Sequence, residues 1–428
     1  MDYQFPHITD IGQVLKAIKG KPEFVVKEAD RHTIINYVMA DSNTFPPVMI
    51  DDWTKLCRKP SDWKPSYDVD AAILRECRGI VFGPDGRVVA RRLHKFFNVG
   101  EKQETFIENI DFAKPHVIMD KLDGSMITPI PIPRHGLENH RHGMYTIRWG
   151  SKMGITHVGM QVEEFVVSHQ NYNKFAEACI YGDMTPIFEW CSRKQRIVID
   201  YPQDKLVLIA VRQNVSGQYL PYDIMWKFAG EYKIPVCGTL PDESIVDGEE
   251  FVAGVREKED IEGYVVQFDN GHMCKIKGEW YCRIHRAKES ILHEKRVIEM
   301  IINEKTDDVF PFLLEHDKKA LQSFVDDFTP SLRETIDYIW EVYQARYEIH
   351  GNDKKAFALA SENMPHTMRS TIFAVWGKND KETVVDHVKG FIRKNLGSGT
   401  KVNGIRWLWG DYKWADYIQA EDDTDVGV

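Results

Sequence analysis

The residues most able to do covalent chemistry lie in Asp120-Lys121-Leu122-Asp123-Gly124-Ser125, a polar turn between two apolar runs, Val117-Ile118-Met119 and Met126-Ile127-Thr128. A lysine amine attacks phosphorus only when neutral. Its ordinary pKa is ~10.4, so a nucleophilic Lys121 needs desolvation or neighbouring cations to lower it. Two such cations stand downstream in Lys275-Ile276-Lys277. On a strand, residues two apart share a face, so both ammonium groups can serve Lys121 or a polyphosphate. Taken alone, Lys-x-Asp-Gly also fits a solvated turn.

Two hairpins are predicted to position these groups. The stretches 78–82 and 87–93 flank Gly83-Pro84-Asp85-Gly86, where proline presets φ and glycine accepts positive φ. Arg78 and Lys95 then fall close together at the outer ends of the two strands. With Phe97 they would suit a triphosphate and a purine ring; a surface salt bridge and core packing are the alternatives. The second hairpin runs 262–268 and 272–277 around Asp269-Asn270-Gly271, a turn that matches strand twist. It sets Glu262 beside the paired lysines. Glu262 and Glu189 are each carboxylates among apolar neighbours, which fits a metal or ribose contact as well as an edge-strand charge.

The remaining periodicities predict helices over 11–18 and 158–180 and strands over 23–26, 33–38, 144–149, 186–190 and 206–211. Loops are expected over 46–70 and 129–142, with His140-Arg141-His142 solvated rather than metal-bound. The densest basic cluster, Arg283, His285, Arg286 and Lys288, can follow an RNA backbone or form a solvated face. From about 290 the pattern is helical: 295–304, 318–328, 332–349, 354–363 and 381–396, punctuated by Pro330, Gly351, Pro365 and Gly377. An aromatic run through Trp414 and Tyr417 precedes an acidic tail expected to fray.

With 428 residues, 43% hydrophobic and 28% charged, the chain can bury the cores of two or three domains. A net charge of -10 argues against coating nucleic acid through bulk positive charge, so any such site is a local patch. Seven cysteines without a Cys-x-x-Cys pair suggest reduced thiols rather than disulfides or a zinc ribbon. The opening Met-Asp-Tyr-Gln-Phe-Pro lacks leader character, and no apolar run approaches ~18 residues. A cytoplasmic protein is expected. No P-loop pattern occurs.

In order, the chain carries Glu76-Cys77-Arg78-Gly79-Ile80-Val81-Phe82, Lys95-Phe96-Phe97-Asn98, the lysine turn, Phe188-Glu189-Trp190, Glu262-Gly263-Tyr264-Val265-Val266 and Lys275-Ile276-Lys277. That series resembles the covalent nucleotidyltransferases, the ATP-dependent ligases and capping enzymes, and most closely the phage RNA ligase 1 family. The resemblance covers roughly 30–310. It implies an α+β fold: a nucleotidyltransferase domain of antiparallel sheets with helices (1–289), followed by an all-α domain (290–428) that selects the RNA. It implies Lys121 as the nucleophile toward ATP. Tyr37, Arg78, Lys95, Phe97, Asp123, Gly124, Lys152 (with Arg148 as the alternative), Glu189, Lys275 and Lys277 would surround the nucleotide. Glu262 and Asp307 would hold Mg2+, although Asp307 also suits a helix N-cap. Tyr281 would act in ligation.

One departure stands out. Ser192-Arg193-Lys194 occupies the place of the family's proline-containing turn, ahead of a matching stretch ending at Ile199-Asp200-Tyr201. The implied reaction joins an RNA 5′-phosphate to an RNA 3′-hydroxyl, as in phage repair of cleaved tRNA in the host cytoplasm, in functional pairing with a polynucleotide kinase/phosphatase. The alternatives are a DNA ligase, a capping-type enzyme, or a non-catalytic RNA-binding protein on a ligase scaffold.

Overall fold

The lysine turn proves to be the corner where the chain leaves one sheet and enters another. The computed structural model describes residues 3–38, 40–41, 43–50, 66–134, 145–194, 196–241, 245, 247–377 and 380–417. The histidine loop at 140–142 and the acidic tail lie outside them. Backbone contacts separate two units, Met1–Cys282 and Arg283–Val428. That division falls inside a helix, Glu279–Ile291, rather than after residue 289.

Among its described residues the first unit holds three four-stranded sheets. The first has β1 (Phe24–Ala29), β2 (His32–Tyr37), β5 (Arg78–Phe82) and β6 (Val88–Ala90), in that order. β3 (Met49–Ile50) and β4 (Ser66–Tyr67) form a separate ribbon. The third sheet is β7 (Phe97–Asn98), β14 (Met273–Lys277), β13 (Gly263–Phe268) and β8 (His116–Asp120). The second is β10 (Tyr145–Ser151), β9 (Ser125–Pro133), β11 (Met184–Cys191) and β12 (Lys205–Gln213). All pairs are antiparallel except β7 with β14. β8 ends at Asp120 and β9 begins at Ser125, so Lys121 to Gly124 span the gap between the third and second sheets.

Apolar side chains lock the sheets together. Leu93, Phe96, Ile187, Ala210 and Met273 form one buried cluster between the second and third sheets. Ile34, Val81, Val89, Ala90 and Ile130 form another between the first and second. Helices cover the outer faces: α1 (Ile11–Ala17) and α2 (Val69–Glu76) on the first sheet, α3 (His157–Ser168), α4 (Gln170–Tyr181) and α5 (Tyr222–Glu231) on the second, α6 (Gly248–Glu257) on the third.

A buried ionic knot joins these layers. Glu76, at the end of α2, accepts from Arg91 Nε at 3.1 Å and from both terminal nitrogens of Arg212 at 2.7 Å. Arg91 also donates to the carbonyls of Pro6, Asn214 and Val215, and Arg212 to those of Arg92 and Gly217. The two guanidinium groups hold the Glu76 carboxyl down at about 2 against its burial.

Four expectations change. Within 46–70, expected as loop, Met49–Ile50 and Ser66–Tyr67 pair as strands and a helix begins at Val69. Residues 129–133 belong to β9 rather than a loop. Pro129, Pro131 and Pro133 alternate, so their missing amides fall along one edge. β10 pairs along this whole stretch while β11 pairs only at Ser125 to Ile127, so the unbonded edge is where prolines are tolerated. The single helix expected over 158–180 is two, broken at His169, whose ring lies 2.8 Å from the Phe165 carbonyl and stacks on Phe165 at 4.1 Å. The two helices expected either side of Pro330 are one.

That helix, α9 (Glu315–His350), belongs to the second unit with α8 (Glu294–Ile302), α10 (Lys354–Ala360), α11 (His366–Val375), α12 (Lys381–Asn395) and α13 (Gly399–Ile405); the helix Glu279–Ile291 is α7. Leu321, Phe324, Phe328, Leu332, Ile336, Ile339 and Tyr343 keep one buried stripe through Pro330. Pro330 itself is exposed, so water can satisfy the carbonyl it leaves unbonded. Among the described residues, no helix is long and apolar enough to cross a membrane.

Glu76→Gln should cost ~3–5 kcal/mol of stability, because it leaves two buried guanidinium groups without a counter-charge. Since the folded pKa is depressed, the wild-type contribution is complete above the unfolded carboxylate value of ~4.3 and disappears as pH falls toward about 2. Denaturant melts of the two proteins from pH 7 to pH 2 should therefore converge in acid; a gap that persists would place the stabilisation elsewhere.

Candidate active site

The corner is held at both ends by backbone bonds. Asp120 N donates to the Gly238 carbonyl at 2.8 Å, and Lys121 N donates to the Gly263 carbonyl at 3.0 Å. Lys121 Nζ then lies 2.7 Å from Glu262 Oε1, and Lys277 Nζ lies 3.1 Å from the same oxygen. Glu262 is 5% exposed and immediately precedes β13, with Gly263 opposite Lys277 across the hairpin. Gly263 has φ +140, and a side chain there would strike the Ile276 carbonyl. Glycine at this position lets the strand bring Glu262 up to the two lysines.

Asp123 and Gly124 were expected to touch the nucleotide, and the structure gives them a different task. Asp123 is buried; Oδ1 accepts from Tyr281 Oη at 2.7 Å, and Oδ2 accepts from the amides of Val198 and Ile199 at 2.8 Å each. Its own amide donates to Tyr201 Oη at 2.9 Å. A carboxylate so fully engaged braces the corner against the segment after β11 and the start of α7. Any side chain at Gly124 would strike the Trp190 carbonyl, so Gly124 allows β11 to approach.

Around the corner the cations converge. Burial, then Lys95, Arg78, Lys121 and Lys277, push the Lys275 amine down to about 7. Burial, then Arg78 and Lys95, push Lys152 down to about 8. Lys95 is lowered mainly by burial, with Arg78, Lys102 and Lys277 adding to it against Glu101. Lys152 Nζ stands 3.7 Å from the centre of the Tyr37 ring. Its alternative, Arg148, is engaged by Glu163 at 2.7 Å. Glu189 faces the same space from β11. Burial and the nearby Glu262 and Asp123 carboxylates raise it to about 8, against the pull of Lys121 and Arg78.

This electrostatic pattern fits a polyphosphate. Mutually repelling, partly desolvated amines gain most from an anion, and the charges of Arg78, Lys95, Lys121 and Lys277 bear on Lys275 as those of Arg78 and Lys95 bear on Lys152. Among the described residues no group of three or more His, Cys, Asp and Glu side chains could hold a metal alone. Glu262 and Glu189 would have to share a divalent ion with phosphate oxygens and water, as Mg2+ sites commonly do.

Two other expected placements differ. Phe97 is 2% exposed and packs near Phe45, with centroids 6.1 Å apart, so its ring belongs to the core beneath Lys95, whose Nζ lies 4.9 Å away. Asp307 lies in an exposed turn of the second unit. It caps no helix: the neighbouring helical segments are capped by Val309 and Leu314. Sequence reasoning missed Tyr201, the Val198 and Ile199 amides, and the Glu76 knot. The signal for the knot was present, since Arg91-Arg92 interrupts the apolar run 88–93.

The chain is similar to several known proteins. The RNA ligase family pattern matches residues 76–281, which contains the lysine corner, both carboxylates and the paired lysines. A putative RNA ligase of Thermovibrio ammonificans is 30% identical over 288 residues, covering 64% of this chain and 71% of its own length. The chain belongs to the phage-type RNA ligase family. RNA ligase 1 of bacteriophage TS2126 is 26% identical, over 50% of this chain and 52% of that protein. A putative bifunctional polynucleotide kinase/RNA ligase of Autographa californica nuclear polyhedrosis virus is 26% identical, over 60% of this chain and 38% of that protein. Among solved structures, an archaeal ATP-dependent RNA ligase superposes with a TM-score of 0.38 at 12% identity, over 65% of this chain and 64% of that one.

The lowered amines of this ligase give a stability signature. A lysine whose folded pKa is about 7 and unfolded value ~10.4 costs most below pH 7, where it must be charged while buried, and nothing above ~10.4. Lys275→Met should raise the melting temperature of nucleotide-free protein at pH 6, and the gain should shrink as pH rises toward 10. A pH-independent gain in thermal melts would mean that the methionine packs better rather than relieving charge.

Proposed function

We propose that this protein joins an RNA 5′-phosphate to an RNA 3′-hydroxyl in three steps with Lys121 as the covalent nucleophile. The observation that carries the reading is Lys121 Nζ beside Glu262 Oε1, set among five other cations. Neutral Lys121 attacks the α-phosphorus of ATP, forming a phosphoramidate to AMP and expelling pyrophosphate. Glu262 Oε1 is the nearest acceptor for the amine's proton. The 5′-phosphate of RNA then takes the AMP, releasing Lys121. The 3′-hydroxyl attacks the RNA phosphorus of that adenylate, AMP leaves, and a phosphodiester is formed.

Fixed cations stabilise the charge that grows on phosphate oxygens in each step. Arg78, Lys95, Lys152, Lys275 and Lys277 are the candidates. A divalent ion, taken here as Mg2+, would supply further positive charge at the phosphates, held by Glu262 with Glu189. Tyr281, through Asp123, couples the start of α7 to the lysine corner, which fits a role in sealing.

The helical unit is assigned to choosing the RNA, since the nucleotide-facing residues above lie in the first unit. A DNA ligase or capping enzyme is disfavoured because those families place a β-rich module after the Lys-x-Lys motif, whereas the described residues after Lys277 form helices alone. Broken tRNA whose ends have been healed to 5′-phosphate and 3′-hydroxyl is the proposed substrate. A kinase/phosphatase partner would supply such ends, and the relative named as a joint kinase and ligase supports that pairing.

Incubation with α-labelled ATP and a divalent metal, followed by 5′-phosphorylated RNA or DNA, tests the whole reading. The label should attach to Lys121 in an acid-labile, base-stable bond and discharge to RNA. Lys121→Ala should abolish labelling yet still seal RNA already carrying a 5′-adenylate. Lys277→Ala, which removes a charge present in every step, should slow that sealing too. Labelling of Lys121→Ala at the wild-type level would move the nucleophile elsewhere.

Glu262→Gln keeps the size of the side chain while removing both its charge and its capacity as a proton acceptor. Labelling should fall by about a hundredfold or more in protein that still folds, as a cooperative melt would show. Wild-type labelling by this variant across a metal titration would leave Glu262 as a structural counter-charge.

A further inference from the structure

On the face of the second sheet opposite the lysine corner there is a cleft of about 290 Å3. Along β11 the side chains alternate: Glu189 faces Lys121, while Phe188 and Trp190 join the core beneath α3 and α4. The cleft opens beside Trp190 and reaches Ser192, at the start of the Ser192-Arg193-Lys194 turn that departs from the family pattern.

Its lining is chemically unusual. Trp190 Nε1 and Ser192 Oγ are buried with no hydrogen-bond partner, and so is Gln161 Oε1 across the cleft. Trp190 and Ser192 are 4% and 5% exposed. Buried polar atoms normally find partners, and leaving one unpaired is costly. Here all three unpaired atoms belong to residues that line one cleft. Phe165 supplies an aromatic wall, stacked on His169 and 5.0 Å edge-to-face from Trp190.

We propose that this cleft receives one unpaired base of the RNA strand. The proposal rests on the RNA-joining reading above. A base offers a flat apolar face for the wall made by the stacked Phe165 and His169 rings and an edge bearing both donors and acceptors for Trp190, Ser192 and Gln161, which is how unstacked RNA bases are recognised. The volume holds a single base and excludes a whole nucleoside triphosphate. Charge gives the orientation: Glu164 and Asp204 line the cleft and disfavour a phosphate inside it. Lys194 is exposed in its lining, where the sugar-phosphate backbone would pass, and the adjacent Arg193 is exposed with its Nε 3.8 Å from Asp200 Oδ1. Arg193 is anchored there by its amide, which donates to Asp204 Oδ1 at 2.9 Å. The turn that departs from the family thus becomes part of a substrate-gripping surface distinct from the nucleotide site.

The test is an abasic walk. Full-length protein is titrated with fluorescent single-stranded oligoribonucleotides in which each position in turn lacks its base, and anisotropy gives Kd. One position should weaken binding by about tenfold, the loss expected for a stacked, hydrogen-bonded base. In Trp190→Phe/Ser192→Ala, binding of intact RNA should weaken by about three- to tenfold, and the abasic penalty at that position should vanish while self-adenylylation continues at the wild-type rate. Gln161→Ala, on a half-exposed helical position, provides the same readout should the double variant fold poorly. No penalty at any position, or a penalty unchanged in the variants, overturns the proposal. Because anisotropy needs no ATP, failure to form the AMP adduct would sink the RNA-joining mechanism without deciding the fate of the cleft.

Discussion

One carboxylate oxygen, Glu262 Oε1, stands between two ammonium groups, Lys121 Nζ at 2.7 Å and Lys277 Nζ at 3.1 Å. The surrounding architecture follows from the need to hold that triplet. Without the anion, two amines would face each other across a hairpin already crowded by Lys275, Lys95 and Arg78. With it, they can be packed close enough to address the same phosphate. The carboxylate also holds the amine of the proposed nucleophile by direct contact. Reaction therefore requires the partnership to be loosened, and an arriving polyphosphate with its cation is the natural competitor for both sides.

Holding the triplet and its neighbours requires rigidity in three sheets at once, since Lys121 directly follows a strand of the third, Glu189 lies on the second and Arg78 starts a strand of the first. Apolar packing fixes the distance between sheets, but it is non-directional. Direction comes from polar knots. Glu76 with Arg91 and Arg212 ties α2, the end of β6 and β12. Asp123 ties the corner to Tyr201, Tyr281 and two successive amides. Each is fully bonded, as buried charge must be, and each lies beside the reactive groups rather than among them.

Much of this was legible in the residues. Both hairpins could be read because their turns have a specific chemistry, and the paired lysines because strand periodicity gives a definite facing. Lys121, Glu189 and Glu262 drew attention as charges embedded in apolar runs. What could not be read was the use of a charge once buried. Asp123 looks the same in sequence whether it binds a ribose or braces a corner, and only the position of Tyr281, far along the chain, decides. Phe97 looks like a stacking platform until β7 and β14 pair and enclose it. Pro330 and the prolines of β9 misled for a shared reason: the cost of a missing amide depends on which edge or face it lies on, and that is fixed by partners the local sequence does not name.

The same electrostatics link nucleotide binding to protons. Lys275 near 7 and Lys152 near 8 are depressed because the empty site desolvates and crowds them. A polyphosphate bound among them, as the proposed function requires, would offset that crowding and return both amines toward their ordinary value. At pH 8 a substantial share of Lys275 is neutral in the free protein and charged in the complex, so binding takes up protons and must weaken as pH rises. The nucleophile needs the opposite. In the proposed reaction Lys121 would attack only as the neutral amine, the form that base favours. The two demands pull in different directions on amines a few ångströms apart. The site reconciles them by giving Lys121 and Lys277 a carboxylate and leaving Lys275 and Lys152 without one, so that the cations held for the phosphate and the amine held for attack answer to different neighbours.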